Sequence, residues 1–302
     1  MKLSILTPTY NRAKLLDKLY TSLIINNNNC QCEIEWLIMD DGSTDNTKQI
    51  IDGYIKQKII EIRYFFEENK GKMYAINKLV EMATGDYIIE CDSDDYFSID
   101  ALNSIEEIIK KYPDMEEIYA LTFLKYDQNG NNMGNNFPDD NYISTMFDLY
   151  FKEKVVGEKA LVFKSSIRKR YKYELESDEK FVTEARLHHE LDLDYKVKCF
   201  NKKIMICEYK EDGYTKNINK LFIENPKGYY EYFKEIFKQN MKGVTLKQRL
   251  YTYKHFILFS VLNNKKDFLK DVQGTFNKIC ISILYLPGKI RTKRKFIRSN
   301  KE

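Results

Sequence analysis

Three acids fall within four residues at Asp92-Ser93-Asp94-Asp95, directly after the apolar run from Tyr87 to Cys91. Carboxylates this close repel one another, and holding them together is costly unless positive charge sits among them. Oxygen donors at this spacing suit a hard divalent cation, magnesium or manganese, which keeps some waters and shares its shell with substrate phosphates. Asp and Ser are also ordinary residues in a polar turn after a strand. The segment alone therefore leaves both readings open.

The elements around it narrow the choice. Leu3 to Thr7 reads as a short strand broken at Pro8, and Thr9-Tyr10-Asn11-Arg12 leads into a helical pattern with Leu15, Leu16, Leu19, Leu23 and Ile24 on one face. A second apolar run, Ile34 to Met39, ends in Asp40-Asp41-Gly42-Ser43-Thr44-Asp45. A third, Ile59 to Phe66, ends in Glu67, Glu68 and Asn69, and the fourth is Tyr87 to Cys91. Helical patterns fill the gaps at about 45–57, 73–83 and 99–111. Alternation of this kind predicts an α/β fold with right-handed crossovers and a mostly parallel sheet. Ligands of such sheets bind outside the carboxyl ends of the strands. Thr7-Pro8-Thr9, Asp40-Asp41 and Asp92-Ser93-Asp94 would then converge on one edge, which the polar-turn reading does not anticipate.

Taken in order, Thr7-Pro8-Thr9-Tyr10-Asn11-Arg12, Met39-Asp40-Asp41-Gly42-Ser43-Thr44-Asp45 and Gly85-Asp86-Tyr87 leading to Asp92-Ser93-Asp94-Asp95 resemble the signature of the family 2 glycosyltransferases with the GT-A fold. The match covers about the first 125 residues. It implies a Rossmann-like nucleotide-binding half with a mixed, mostly parallel sheet, a nucleotide-sugar donor (usually a UDP-sugar) and a divalent metal, Mn or Mg. The metal would be held by an Asp-x-Asp motif, here Asp92-Ser93-Asp94, with Asp94 the main direct ligand and Asp92 on ribose or a metal-bound water. Thr7, Pro8, Thr9 and Tyr10 would line the uracil and ribose pocket, and Asp40, with Asp41 beside it, would accept a hydrogen bond from uracil. Arg12 and Lys72 would face the phosphates, although Lys72, in Asn69-Lys70-Gly71-Lys72, also reads as a solvated surface lysine. Asp95 and Glu158 would face the acceptor, with Asp212 and Thr215 as further candidates.

An inverting transferase needs a base for the acceptor hydroxyl. In the resembling family it is an acid at a helix start, with Gly-Tyr-Lys about a dozen residues later. Setting Tyr195-Lys196 on that Tyr-Lys places Glu184 at the base position; Thr183 and Asp194 stand where the family has an acid and a Gly. Glu179 and Asp178 are rivals a turn or more upstream, and Glu184 could instead pair with Arg186 or His188 on a helix face. His188 and His189 are adjacent and face different directions, so one should pack and one be exposed.

At 302 residues and 43% hydrophobic content, the chain is long enough for one large domain, or a domain with an appendage. We expect a GT-A domain over 1–215, split into a donor half (1–125) and an acceptor half (126–215), and a helical appendage over 216–302. Six Cys contain no Cys-x-x-Cys pair, and Cys30-x-Cys32 alone is a poor zinc site. No secretory signal opens the sequence, so a cytoplasmic location is expected. Asn26 to Asn29 and Asn129 to Asn136 read as exposed loops. Residues 289–302 hold seven Lys or Arg against one Glu, a net +6 in a chain of net +4, so residues 1–288 carry −2. Just before that tail Phe268, Val272, Phe276, Ile279, Ile283 and Leu286 recur on one helical face, ended by Pro287-Gly288. An apolar stripe with a cationic tail suits a lipid-linked acceptor and an anionic membrane surface; the alternative is a helix packed on the domain. No nucleic-acid partner is expected. A nucleotide-sugar-binding protein without activity, or a sugar nucleotidyltransferase, are the competing readings; the latter should carry a Gly-rich loop after the first strand, and Pro8 to Arg12 has no Gly.

Overall fold

The structure, a computed structural model, describes residues 1–113, 115–176, 178–207 and 218–297. It divides into two compact units, the first of residues 1–145, 155–172 and 194–207, the second of 146–154, 173–193 and the described residues from 218 on.

The first unit is a nine-stranded sheet with helices. Its parallel part alternates β1 (Lys2–Thr9), α1 (Leu16–Asn29), β2 (Glu33–Asp40), α2 (Thr47–Gln57), β3 (Glu61–Phe66), α3 (Lys72–Met82) and β4 (Tyr87–Glu90), in the predicted sequence. β5 (Tyr96–Phe97), α4 (Ala101–Lys111), β6 (Ile118–Tyr126), β7 (Tyr142–Ser144), β8 (Lys159–Lys164), α6 (Ser165–Arg168) and β9 (Lys196–Ile206) follow; α5 (Met146–Phe151) belongs to the second unit. Strand order is β3-β2-β1-β4-β8-β6-β9-β5, with β7 also on β9. β1, β2, β3 and β4 run parallel, and β8 enters antiparallel beside β4. β1 and β2 are buried along almost their whole length, as strands covered on both faces must be. β1 runs through Pro8 to Thr9, two residues past the expected end at Thr7; as Pro8 lies near the strand end, its missing N–H costs little of the ladder. Asn26 to Asn29 form the last turn of α1 rather than a loop. Asn26 is fully buried because its amide donates to Ser98 O (2.8 Å) and accepts from Leu102 N (2.9 Å), fixing the start of α4.

At the amino edge of the sheet, Glu35 is fully buried. Its carboxylate accepts from Ser4 Oγ (2.5 Å), Thr84 N (2.6 Å) and Thr84 Oγ1 (2.8 Å) and pairs with Lys2 Nζ (3.2 Å). Ser4 Oγ in turn accepts from Gly85 N (2.8 Å), and a Cβ on Gly85 would stand 2.7 Å from that oxygen. The Gly-Asp pair of the third motif is thus a joint: Gly85 lets the chain touch β1, and Asp86 accepts from Lys2 N (2.9 Å). Both set β4 beside β1, and so set where the acidic run emerges.

The second unit holds α5, α7 (Glu184–Leu191), α8 (Ile218–Glu224), α9 (Pro226–Ile236), α10 (Leu246–Leu262) and α11 (Thr275–Thr292) around an aromatic core of Tyr229, Tyr230, Phe233, Phe256 and Phe259. The expected boundary at 215/216 is corrected here. Residues 146–154 and 173–193 join the C-terminal helices because Asp192 accepts from Met146 N (3.1 Å) and Phe147 N (2.7 Å), while Gln239 donates to His189 O (2.7 Å). His189 is buried against Tyr232 and Phe147, which pushes its pKa down to about 3, whereas His188 is half-buried. The C-terminal stripe is also corrected. Phe268 and Val272 precede α11 and are buried, and the helix continues through Pro287 to Thr292. Gly288 allows this close packing, since a Cβ there would lie 2.8 Å from Ile257 Cγ2. The rest of the stripe, Phe276, Ile279, Ile283 and Leu286, is exposed at 55–71%, and the continued helix adds Ile290 at 47%.

Burial by itself raises the Glu35 pKa, and the hydrogen bonds from Ser4 and Thr84 reverse that, bringing it down to about 2. A depressed pKa stabilises the fold above the unfolded value near 4.5 and loses that contribution as pH falls toward 2. Glu35→Gln should therefore lower stability at pH 7 by on the order of 1–3 kcal/mol. In denaturant titrations the gap from wild type should narrow steadily below about pH 5, in the range where carboxylates protonate; a gap independent of pH would refute the network's role.

Candidate functional site

The carboxyl ends of β1 and β2 meet in register, Thr9 opposite Asp40, and β4 ends beside them: Cys91 N donates to Leu6 O (2.9 Å) just before the acidic run. The expected convergence of the three motifs on one edge of the first unit is therefore observed. Its loops are pinned by polar side chains. Asn11, with a positive φ of 52°, accepts at Oδ1 from Thr44 N (2.8 Å) and Asp45 N (3.3 Å), and its own N–H reaches Ser43 Oγ (2.8 Å). Ala13 N donates to Asp45 Oδ2 (3.2 Å). These bonds fix the loop after β1 to the loop after β2.

The donor-site candidates divide by environment. Thr7 is fully buried and its hydroxyl accepts from Trp36 Nε1 (2.9 Å), so it packs β1 instead of lining an open pocket. Pro8 is also buried, whereas Tyr10 is 48% exposed. Thr9 is buried with a hydroxyl that meets no partner among the described residues. Asp40 is buried and accepts one bond on each oxygen, from Ser43 N (2.7 Å) and Tyr64 OH (2.8 Å). Each oxygen keeps a second lone pair. Asp41 accepts Lys70 N (2.7 Å) and Gly71 N (2.9 Å), and its carbonyl takes the Asn69 amide (3.0 Å). It shapes the turn into α3, where Gly71 sits at φ 95°. Lys72 is not a solvated surface lysine: its side chain is largely buried and its ammonium lies 2.7 Å from Asp92 Oδ1.

Lys125, which sequence reasoning did not single out, organises the other acids. Its ammonium lies 3.0 Å from Asp95 Oδ2 and 3.5 Å from Glu158 Oε2. Burial works against its charge, but Asp95, Cys207 and Glu158 more than reverse this and hold its pKa above the ordinary lysine range. The only signal in the sequence is a lysine near the end of the mostly apolar strand 118–126. Asp92 and Asp95 thus each have a lysine. Asp94 has neither ion pair nor side-chain hydrogen bond among the described residues; burial first, then the charges of Asp92 and Asp95, push its pKa up to about 6, with Arg12 pulling weakly the other way. A half-buried carboxylate raised by like charges, beside a second carboxylate, is a donor set that a hard divalent cation would relieve.

The base candidates lie in the second unit. Glu184 is exposed on the first turn of α7, and the preceding Thr183 is extended. Glu179 is buried and accepts Lys227 N (2.7 Å) and Gly228 N (2.7 Å), satisfying the amino end of α9, and Asp178 pairs with Lys227. Arg186 donates to Glu174 O (2.8 Å). Tyr171 and Arg170 donate to Asp194 (3.1 Å) and Tyr195 OH (2.6 Å) in the first unit. Asp212 and Thr215 lie outside the described residues, as do residues 298–302 of the basic tail. Among the described residues no helix is long and apolar enough to cross a membrane.

Residues 4–171 match the model of the glycosyl transferase family 2, more than half the chain. The chain belongs to that family. It is 37% identical over 113 residues to an uncharacterized glycosyltransferase, the MG060 homolog of Mycoplasma pneumoniae, which covers 37% of this chain and 38% of that protein. It is 34% identical over 124 residues to TuaG of Bacillus subtilis, a glycosyltransferase assigned to teichuronic acid biosynthesis, covering 41% and 46%. The chain thus matches less than half the length of these curated relatives. In fold it is similar to the crystal structure of Staphylococcus aureus TarS 1–349 in complex with UDP-GlcNAc, with a TM-score of 0.61 at 16% identity over 99% of this chain and 92% of the other. The mannosyltransferase PcManGT of Pyrobaculum calidifontis, in complex with GDP-Man and Mn2+, gives 0.53 at 16% identity, over 96% and 83%. The expected GT-A fold is borne out.

The raised pKa of Asp94 has a consequence for stability in the absence of divalent ions. The folded state binds this proton more tightly than the unfolded chain, so ionising Asp94 destabilises the fold progressively from about pH 4 to 6. Asp94→Asn should stabilise the ion-free chain at pH 7.5 by on the order of 1–2 kcal/mol, an advantage that fades toward pH 4. Equal denaturation midpoints at pH 7.5 would show that Asp94 carries no such penalty.

Proposed function

We propose that the chain is a metal-dependent, inverting glycosyltransferase that moves a sugar from a UDP-sugar to a growing surface polysaccharide or a lipid-linked glycan. The observation that carries this is the meeting of Thr9 and Asp40 with Asp92, Asp94 and Asp95 on one sheet edge, where Asp94, unlike Asp92 and Asp95, has no lysine partner among the described residues. Family membership supports sugar transfer. The UDP-GlcNAc in TarS, a poly(ribitol-phosphate) beta-N-acetylglucosaminyltransferase, supports a UDP donor, and TarS and TuaG support a surface polymer as acceptor.

In this reading Asp94, with Asp92, would hold Mn or Mg, and the ion would supply Lewis-acid neutralisation of charge on the diphosphate. Asp40 uses a remaining lone pair to accept the uracil N–H, and Thr9 with Tyr10 borders the base and ribose. Asp41 shapes the loop that carries Lys72, and Lys72 and Arg12 serve the phosphates. Asp95 and Glu158, bridged by Lys125, form the polar wall for the acceptor. Glu184 removes the acceptor hydroxyl's proton as the new bond forms opposite the leaving group; its exposed place on the first turn of α7 supports it over the buried Glu179. Thr183 and Asp194, where the family has an acid and a Gly, favour a second reading, a nucleotide-sugar-binding protein without turnover.

Calorimetry with UDP, with and without manganese, and a sugar-transfer assay test these roles together. Asp94→Ala should lose metal-dependent UDP binding and all transfer. Glu184→Gln should bind UDP like wild type yet turn over about 10²–10⁴-fold more slowly, the usual contribution of a general base. Manganese-dependent UDP affinity unchanged in Asp94→Ala would remove the metal assignment. Binding without transfer in the wild type itself would establish the second reading.

We further propose that α11 rests on the inner face of the cell membrane, keeping a cytoplasmic enzyme near a lipid-linked acceptor. Exposed Phe276, Ile279, Ile283, Leu286 and Ile290 present an apolar strip beside the charges of Lys289, Arg291, Lys293, Arg294 and Lys295. Each basic residue near an anionic surface contributes about 1 kcal/mol. Ile283→Asp with Leu286→Asp should weaken flotation with phosphatidylglycerol vesicles at least about tenfold, as removing apolar burial and adding repulsion predicts, and added salt should weaken the wild type. Flotation insensitive to both would contradict membrane docking.

A further inference from the structure

Far from the donor edge, two thiols and a carboxylate meet. Cys30 closes α1, its N–H bonded to Asn26 O (3.0 Å), and Cys32 precedes the first residue of β2. Residues two apart in extended backbone point to one side, and the two sulfurs lie 2.7 Å from each other. Glu106 of α4 reaches the same place; its carboxylate accepts Gln31 N (2.8 Å) and pairs with Lys110 (2.7 Å). One ligand atom from each of Cys30, Cys32 and Glu106 lies within 4.8 Å of the other two. Cys32 and Glu106 are 5% and 4% exposed, and Cys30 is half-buried.

Three ligand atoms of the types that hold zinc, two sulfurs and a carboxylate oxygen, thus meet in one place. We infer that Cys30, Cys32 and Glu106 form a binding site for a thiophilic divalent cation of the zinc class. Soft thiolate donors select zinc over magnesium or manganese, and two sulfurs with one carboxylate oxygen leave a fourth, tetrahedral position for water. Charge closes as well: two thiolates and a carboxylate against a divalent ion leave −1, which Lys110 neutralises. Zn–S bonds of about 2.3 Å in a tetrahedral site separate sulfurs by about 3.8 Å. Binding therefore spreads the pair by roughly 1 Å, which the half-exposed Cys30 side chain at a helix end can accommodate. The site is distinct from Asp92 and Asp94. Cys32 lies before the start of β2 and Asp40 at its end, so the two edges are about 25 Å apart along the strand. The cation would tie α1, β2 and α4 together.

The test is a cobalt(II) titration of the reduced, chelator-stripped full chain, followed by zinc displacement. One equivalent should give a sulfur-to-cobalt charge-transfer band that zinc abolishes. Cys30→Ser and Cys32→Ser should lose the band. Glu106→Gln should weaken cobalt binding by at least the about 10–100-fold that even an outer-shell partner costs, and Asp94→Ala should leave the band unchanged. If Glu106→Gln fails to fold, the half-exposed Cys30→Ser variant still decides the question. No band in the reduced wild type, a band that survives in both Cys variants, or a Cys30–Cys32 disulfide in place of metal binding would each overturn the site.

Discussion

The carboxyl edge of the parallel sheet gathers more negative charge than it can hold without compensation, and much of the first unit is arranged around that constraint. Asp40 is met by a backbone N–H and the Tyr64 hydroxyl, Asp41 by two N–H groups of the turn into α3, Asp92 by Lys72 and Asp95 by Lys125. Each compensation also places something: Asp41 shapes the loop bearing Lys72, and Lys125 joins Asp95 to Glu158. Asp94 is left with a raised pKa, so the deficit falls there, where in the proposed reading a bound cation would relieve it. In that reading the stability given up locally is what a bound ligand would restore.

The opposite edge makes that arrangement possible. Glu35 gathers Ser4, Thr84 and Lys2 and tolerates full burial because its hydrogen bonds outweigh desolvation. Gly85 passes against Ser4 without room for a side chain. β4 is thereby held parallel to β1 in a fixed register, and register decides that the acidic run emerges next to Thr9 and Asp40. A motif that reads as catalytic in sequence thus includes residues whose work is at the far end of the strand.

The second unit uses acids differently. Glu179 and Asp192 each direct both oxygens at the first N–H groups of a helix, α9 and α5 respectively. Such contacts satisfy donors that no helical carbonyl can reach. They engage two acids and leave Glu184 exposed on the first turn of its helix.

By itself the sequence determined the alternation of strands and helices, the convergence of the three polar motifs on one edge and the family, because apolar periodicity and strand ends are local properties that adjacent residues encode. It also showed the charge of the tail and the stripe of α11, but placed Phe268 and Val272 on that stripe and stopped the helix at Pro287. Periodicity cannot tell a buried apolar residue from an exposed one, nor see that Gly288 lets α11 pack against Ile257. Only the tertiary structure decided that Thr7 serves Trp36, that Lys72 serves Asp92, that Lys125 links Asp95 to Glu158, and that Glu106 faces Cys30 and Cys32 from 75 residues beyond Gln31. The physical reason is common to all four. Which partner a polar group meets depends on contacts between distant segments, and those are fixed by packing and register, which no local pattern carries.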